Sequence, residues 1–190
     1  MNAIRPEIIN VIIPISILYA KLSSHKFTTQ LDIGIEINNL TNAGASTTLD
    51  ISQYVNAPTG QALLVEEVQF GWYNASNYLP LMNASDAQFT AQVLDSTTGT
   101  LVSPISEELV SQSHYVIDGA AGIYSEDDVM PDVMGYAAGD GRLVISSNLQ
   151  LVADSSITVS GASVAARIRC RVVNLDQKDW MALALQSVAE

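Results

Sequence analysis

Three arginines alternate with apolar residues near the end of the chain, in Ala166-Arg167-Ile168-Arg169-Cys170-Arg171-Val172. At the two-residue period of a strand, Arg167, Arg169 and Arg171 share one face while Ile168, Cys170 and Val172 share the other. Three guanidiniums on one face repel one another unless carboxylates meet them. Three readings are open: pairing with acids on a neighbouring strand of the same chain, docking on the acidic surface of another subunit, for which Arg is suited by its bidentate geometry, or a nucleic-acid face. The same alternation makes Cys170 a core thiol rather than a reactive one. It is the single cysteine, so neither an intramolecular disulfide nor a Cys-based zinc site can form.

The acidic run Glu126, Asp127, Asp128 and Asp132 is the one candidate for a divalent cation. It lacks the alternating ligands, turn glycine and terminal glutamate of an EF-hand loop, and reads better as a solvated acidic loop. The two histidines, His25 and His114, stand in no metal-ligand spacing. The glycines of Gly135-Tyr136-Ala137-Ala138-Gly139-Asp140-Gly141 punctuate turns and do not form a phosphate cradle, and there is no nucleophile elbow or dinucleotide fingerprint. A pair of glycosidase carboxylates would have to be assembled by the fold, since the spacing selects none. No catalytic residue and no cofactor is therefore expected. Asn39-Leu40-Thr41, Asn74-Ala75-Ser76 and Asn83-Ala84-Ser85 are N-glycosylation sequons in expected loops, of consequence only in an exported chain.

The elements that must position these residues are mostly strands. Gln30–Asn38 alternates strictly, with Leu31, Ile33, Ile35 and Ile37 on one side, as a half-buried strand does. Asn39–Thr48 reads as a linker and Leu49–Val55 as a short strand. Leu63–Tyr73 follows as a long strand with a bulge at Glu66-Glu67, then a polar loop to Asp86. Gln88–Asp95 alternates again, and Leu101-Val102 reads as the start of its return strand. Pro104–Gln112 carries a helix signature of one or two turns, with Pro near its start and two early glutamates. Asp118–Asp140 reads as a surface excursion. Strands are expected again at Arg142–Ser147, Leu149–Ala153, Ser156–Ser160 and Ser163–Val173. Asp176 is placed to cap a short helix through Gln186, with Leu175 and Trp180 as a hydrophobic staple. Seven to nine short strands with one or two short helices predict an all-β chain, a single jelly roll or β-sandwich.

The chain has 190 residues, of which 48% are hydrophobic and 15% charged. That suits one domain with a substantial core, here residues 27–190, preceded by an arm over 1–26. The net charge is −12, from 20 acids against eight bases, which disfavours direct nucleic-acid binding. No Lys or Arg occurs between Phe27 and Gly141, where most of the acids lie. Such a stretch needs screening salt, bound cations or a basic neighbour. High salt is the simplest, because the Debye length falls to about 3 Å at 1 M. An ordinary acidic secreted protein has the same composition. The arm contains an apolar run, Ile8–Ala20, too short for a membrane span of about 20 residues. Glu7, Asn10 and Pro14 interrupt its resemblance to a signal peptide. It reads as a strand or interfacial arm, with Ile13, Ile15 and Ile17 as interface candidates.

The size, the many short strands, the long mid-chain loops, the apolar arm and the Ser/Thr/Asn-rich surface together resemble a viral coat protein of the single jelly-roll kind. The acidic, Lys-poor composition is similar to that of the small major capsid proteins of icosahedral, internal-membrane viruses of halophilic archaea, the sphaerolipovirus type. The resemblance implies a virion structural protein that self-associates into capsomers with other capsid proteins, one end near an internal membrane and the other towards brine. It implies that the 27–141 stretch supplies outer or inter-capsomer surface, that Arg167, Arg169 and Arg171 pair between subunits, and that the arm packs under or between them. The alternative from another class is an extracellular or cell-surface β-sandwich, a binding module or filament subunit with a donated N-terminal strand.

Overall fold

The computed structural model describes residues 30–127 and 140–186. Among the described residues nine strands form two antiparallel sheets packed face to face, with one α-helix after the last strand. The strands are β1 (Leu31–Ile37), β2 (Ala45–Asp50), β3 (Gln61–Asn74), β4 (Ala87–Leu94), β5 (Leu109–Asp118), β6 (Ile123–Asp127), β7 (Arg142–Val144), β8 (Asn148–Ser155) and β9 (Ala162–Asn174). A 3-10 turn (Ala57–Thr59) precedes β3, and helix α1 spans Gln177–Gln186.

The first sheet has the order β1-β9-β3-β7 and the second β2-β8-β4-β5-β6. Four antiparallel pairs explain that order: β4 with β5, β3 with β7, β2 with β8, and β1 with β9. They are the successive rungs of one long hairpin, closed at the β4–β5 loop and rolled up so that alternate rungs fall in opposite sheets. This is a jelly roll, with β6 added to the edge of the second sheet. Rolling brings β9 against β3 along thirteen residue pairs and β8 against β4.

Alternation decides what enters the core. Leu63, Val65, Val68 and Trp72 of β3 meet Phe89, Ala91 and Val93 of β4 and Ile168 and Cys170 of β9, all buried. Trp72, Phe89 and Tyr115 form an aromatic cluster at centroid separations of 5.5, 5.8 and 6.2 Å. Its polar tips are satisfied: the Trp72 indole N–H donates to Ser113 Oγ and the Tyr115 hydroxyl to the Leu81 carbonyl, so burying them costs little. Helix α1 closes a smaller core over the outer side of the first sheet, where Trp180 and Leu183 meet Leu64, Val173 and Leu175. The Asp179 amide donates to Asp176 Oδ1 at 2.8 Å, and Leu175 and Trp180 sit in one cluster, so cap and staple form as expected.

The structure corrects several expected elements. Pro104–Gln112 is not a helix: turns run to Glu108 and Leu109 opens β5, because Leu109 and Val110 are buried by pairing with β4 and by core packing. Leu101-Val102 is not a return strand but a coil tied to Gln92. Strand β2 begins at Ala45, inside the expected linker, and ends at Asp50. Residues 156–161 form bends and turns, not a strand. β7 stops at Val144, and the expected excursion after Asp118 contains β6. The arm over 1–26, with Ile13, Ile15 and Ile17, lies outside the described residues.

Candidate functional site

The outer face of the first sheet carries the arginine stripe. β9 runs between β1 and β3, so Arg167 and Arg169 have a strand on both sides, while Arg171, beyond the start of β1, has β3 alone. In register, Asp32 of β1 and Glu67 of β3 flank Arg169, while Gly34 and Gln69 flank Arg167. A bulge between Val65 and Glu67 breaks the alternation of β3. The extra residue sets two consecutive glutamates towards one face, where Arg171 Nε donates to Glu66 Oε1 at 2.8 Å and Arg169 pairs with Glu67. Arg167 donates to Asp32 Oδ2 at 3.0 Å. The bulge expected from Glu66-Glu67 is thus the device that matches the second and third arginines.

The three pairs differ in energetic weight. Glu67 is only 8% exposed and also accepts a hydrogen bond from Gln69 Nε2, so Arg169 is the cation that offsets the cost of its burial. The Asp32–Arg167 pair is open to solvent on both sides, where such contacts contribute about 0–1 kcal/mol. On the reverse side of β9, burial pushes the Cys170 thiol up to about 12. A thiol held protonated in this way is no nucleophile at neutral pH, which fits the core position expected for it.

Beside the stripe the same face turns bare. Gly34, Ala165 and Gly71, on β1, β9 and β3, are neighbours on the outer surface. Gly34 and Ala165 floor a shallow hollow of about 450 Å³ flanked by Asp32, Arg167 and Glu36. Glu36 accepts hydrogen bonds from Asn38 Nδ2 at 2.9 Å and the Tyr73 hydroxyl at 2.8 Å. These donors, Asn38 first, hold its carboxyl below the usual range, while burial and then the bond to Glu36 push the Tyr73 phenol up to about 12. Asp32 and Glu36 are the two carboxylates of this hollow. Four residues apart on one strand, they stand about 13 Å apart, wider than either glycosidase geometry. The sequence does not reveal the hollow, because Gly34 and Ala165 become neighbours only when β1 pairs with β9.

The second sheet is built differently. Gln92 on β4 makes a two-way contact with Val102, its Oε1 accepting from the Val102 amide at 2.8 Å and its Nε2 donating to the Val102 carbonyl at 2.9 Å. Gln150 on β8 accepts from the Gly99 amide at 2.7 Å. The β4–β5 loop is thereby held down on the outer face of this sheet, over a small apolar cluster of Leu94, Leu109 and Val152. Gln112 continues the chain of amides from Gln92 to His114, whose other ring nitrogen meets Thr90 Oγ1 at 3.2 Å. His114 is part of this anchoring network. At the foot of the loop, Ser146 donates to the half-buried Asp95 carboxyl, and burial pushes that carboxyl up to about 6.

Several acids of the stretch without bases hold turns together. The carboxylates of Asp50 and Asp118 accept from the amides of Ser52 and Ala121, a local use that suits Asp in loops, and Asp86 accepts from the Gly119 amide in the turn after β5. Glu126 lies on β6 and Ser113 Oγ approaches it at 3.5 Å. Asp127 ends β6, whereas Asp128 and Asp132 lie outside the described residues, as does His25. Among the described residues no group of three or more His, Cys, Asp or Glu side chains is placed to hold a metal ion, and no helix is long and apolar enough to cross a membrane. Of the sequon asparagines, Asn39 is exposed. The Asn74 carboxamide is engaged by Ser76 and the Ser160 carbonyl, and Asn83 donates to the Ser85 carbonyl. No protein-family model and no curated protein matches the chain.

Proposed function

We propose that this chain is a capsid subunit, a structural protein that self-associates into the capsomers of an icosahedral shell. The observation that carries the reading is the strand order, the β1-β9-β3-β7 sheet packed against β2-β8-β4-β5, the rolled hairpin that viral coat and lectin domains share. The sequence resemblance selects the coat protein from that group. The acidic stretch supports a shell in concentrated salt, where Debye lengths of about 3 Å suppress the repulsion between neighbouring subunits. On this reading the protein resides in the virion, beside other capsid proteins and near an internal membrane, with the arm and its Ile13, Ile15 and Ile17 covering surface between subunits.

Electron microscopy of the purified full-length chain, at roughly 1 M and at roughly 0.1 M salt, tests the proposal. Regular rings or shells at high salt are expected. Particles of monomer size at every concentration and salt would count against it. The edge of β1, which among the described residues pairs only with β9, favours a second reading, a cell-surface subunit that accepts a donated strand. Linear filaments in place of closed particles would support that reading.

A further inference from the structure

Gly34 and Gly71 sit in the middle of strands, where a glycine costs roughly 0.5–1 kcal/mol relative to a residue with a side chain. Among the described residues nothing requires either one. Neither has a positive φ, and a Cβ built on either meets no atom within 4 Å. The register shows no bulge at either, and a strand glycine without one often marks a site where a ligand or another backbone approaches closely.

The charges around the two glycines are arranged symmetrically. With strands about 4.8 Å apart and alternate residues about 6.8 Å apart, Gly34, Ala165 and Gly71 fall close to one diagonal across β1, β9 and β3. Arg167 lies on one side of that diagonal and Glu36 on the other, about 8 Å apart. Among the described residues Glu36 has no cationic partner, and Arg167 uses one of its nitrogens on Asp32, leaving donors of its five unspent. A two-fold axis laid along the diagonal, in the plane of contact, sets Arg167 of each copy over Glu36 of the other. This is the self-complementarity that an isologous interface demands.

The geometry points to a face-to-face dimer of this chain, formed by the outer surfaces of two first sheets about the Gly34–Ala165–Gly71 diagonal and fastened by two reciprocal Arg167–Glu36 pairs. The inference rests on the self-association reading above and names one of the surfaces that reading needs. The glycines allow the backbones to close, and the paired charges fix the register and exclude a parallel slide. The face measures about 20 Å by about 24 Å from its strands, at the small end of interface sizes. The isolated dimer is therefore of modest affinity, and trapping is the suitable readout.

Ala165 lies on the proposed axis and meets its own copy there. Full-length Ala165→Cys, treated with a bis-maleimide spanning about 10 Å, the spacing of packed sheets, should give a covalent dimer; the buried Cys170 does not compete. Glu36→Lys or Arg167→Glu in that background should lower the yield at least tenfold, and the two together should restore it. Gly34→Thr with Gly71→Thr should also abolish cross-linking while leaving the melting temperature unchanged or raised, which separates a blocked contact from a misfolded chain. Absence of cross-linking, or cross-linking indifferent to the charge reversals, would overturn the dimer. If rings or shells still form in that case, the capsid reading stands without this interface. A chain monomeric under every condition overturns both.

Discussion

Replacing Asp95 by Asn should stabilise the protein in alkaline solution and leave it unaffected in acid. The carboxyl sits at the junction of β4 with its following loop, its own amide bonded to the Glu108 carbonyl and its side chain accepting from Ser146. Burial lifts it from 3.8 to about 6, against the opposing pull of Ser146 and Arg142. A folded-state value above the unfolded one means that the protonated form favours folding. The contribution is complete below about pH 4 and is lost as pH rises through about 6. Roughly two units correspond to at most about 3 kcal/mol, and solvent screening of a half-buried group reduces this to about 1–2 kcal/mol. Asn cannot ionise and keeps an oxygen for the Ser146 hydroxyl. Urea melts at about pH 8 and about pH 3.5 should show the variant more stable by that amount at the higher pH and nearly equal at the lower. A variant less stable at both would refute the reasoning, because it would mean that the ionised carboxylate gains more from Arg142 than burial costs it.

Other consequences concern the stripe, the loop and the helix. Arg169→Met leaves Glu67 buried without its cation and should cost about 2–3 kcal/mol, less than the 3–5 of a fully buried pair; Arg167→Met should cost under about 1 kcal/mol in a urea melt of the monomer. Gln92→Ala removes both anchors of Val102 and leaves Gln112 Oε1 without its donor, for about 1–3 kcal/mol, and hydrogen exchange should show the Val102 amide losing its protection first. Asp176→Ala should cost about 1 kcal/mol, with loss of helical signal confined to α1.

Residues whose side chains report their own surroundings made part of this architecture legible beforehand. Leu31, Ile33, Ile35 and Ile37 alternate without exception, and β1 follows. Two adjacent glutamates cannot both alternate, and β3 bulges where they stand. Asp176 with its staple announces α1. The stripe on β9 was readable as a stripe, but its partners were not, since Asp32 lies 135 residues from Arg167 and Glu66 lies 105 from Arg171. Only the roll of the hairpin brings them together.

The failures have a common physical origin in polar residues that face inwards. Ser111 and Ser113 of β5 are buried, which removes the apolar half of the alternation and leaves Pro104 and its glutamates to suggest a helix. β2 offers Ala45, Thr47 and Leu49 to the sandwich, too little hydrophobicity to separate a strand from a linker. The Gln92–Gln112 pair is likewise invisible locally, because a glutamine is worth burying only where another amide already waits. The bare diagonal at Gly34 and Gly71 depends on register across three strands and has no local sign at all.

Sedimentation velocity of the full-length chain, over a wide range of concentration and salt, tests the claim of self-association most directly. The capsid account predicts dimers or larger closed species that grow with concentration and persist as salt is raised. A single species of monomer mass throughout would contradict it.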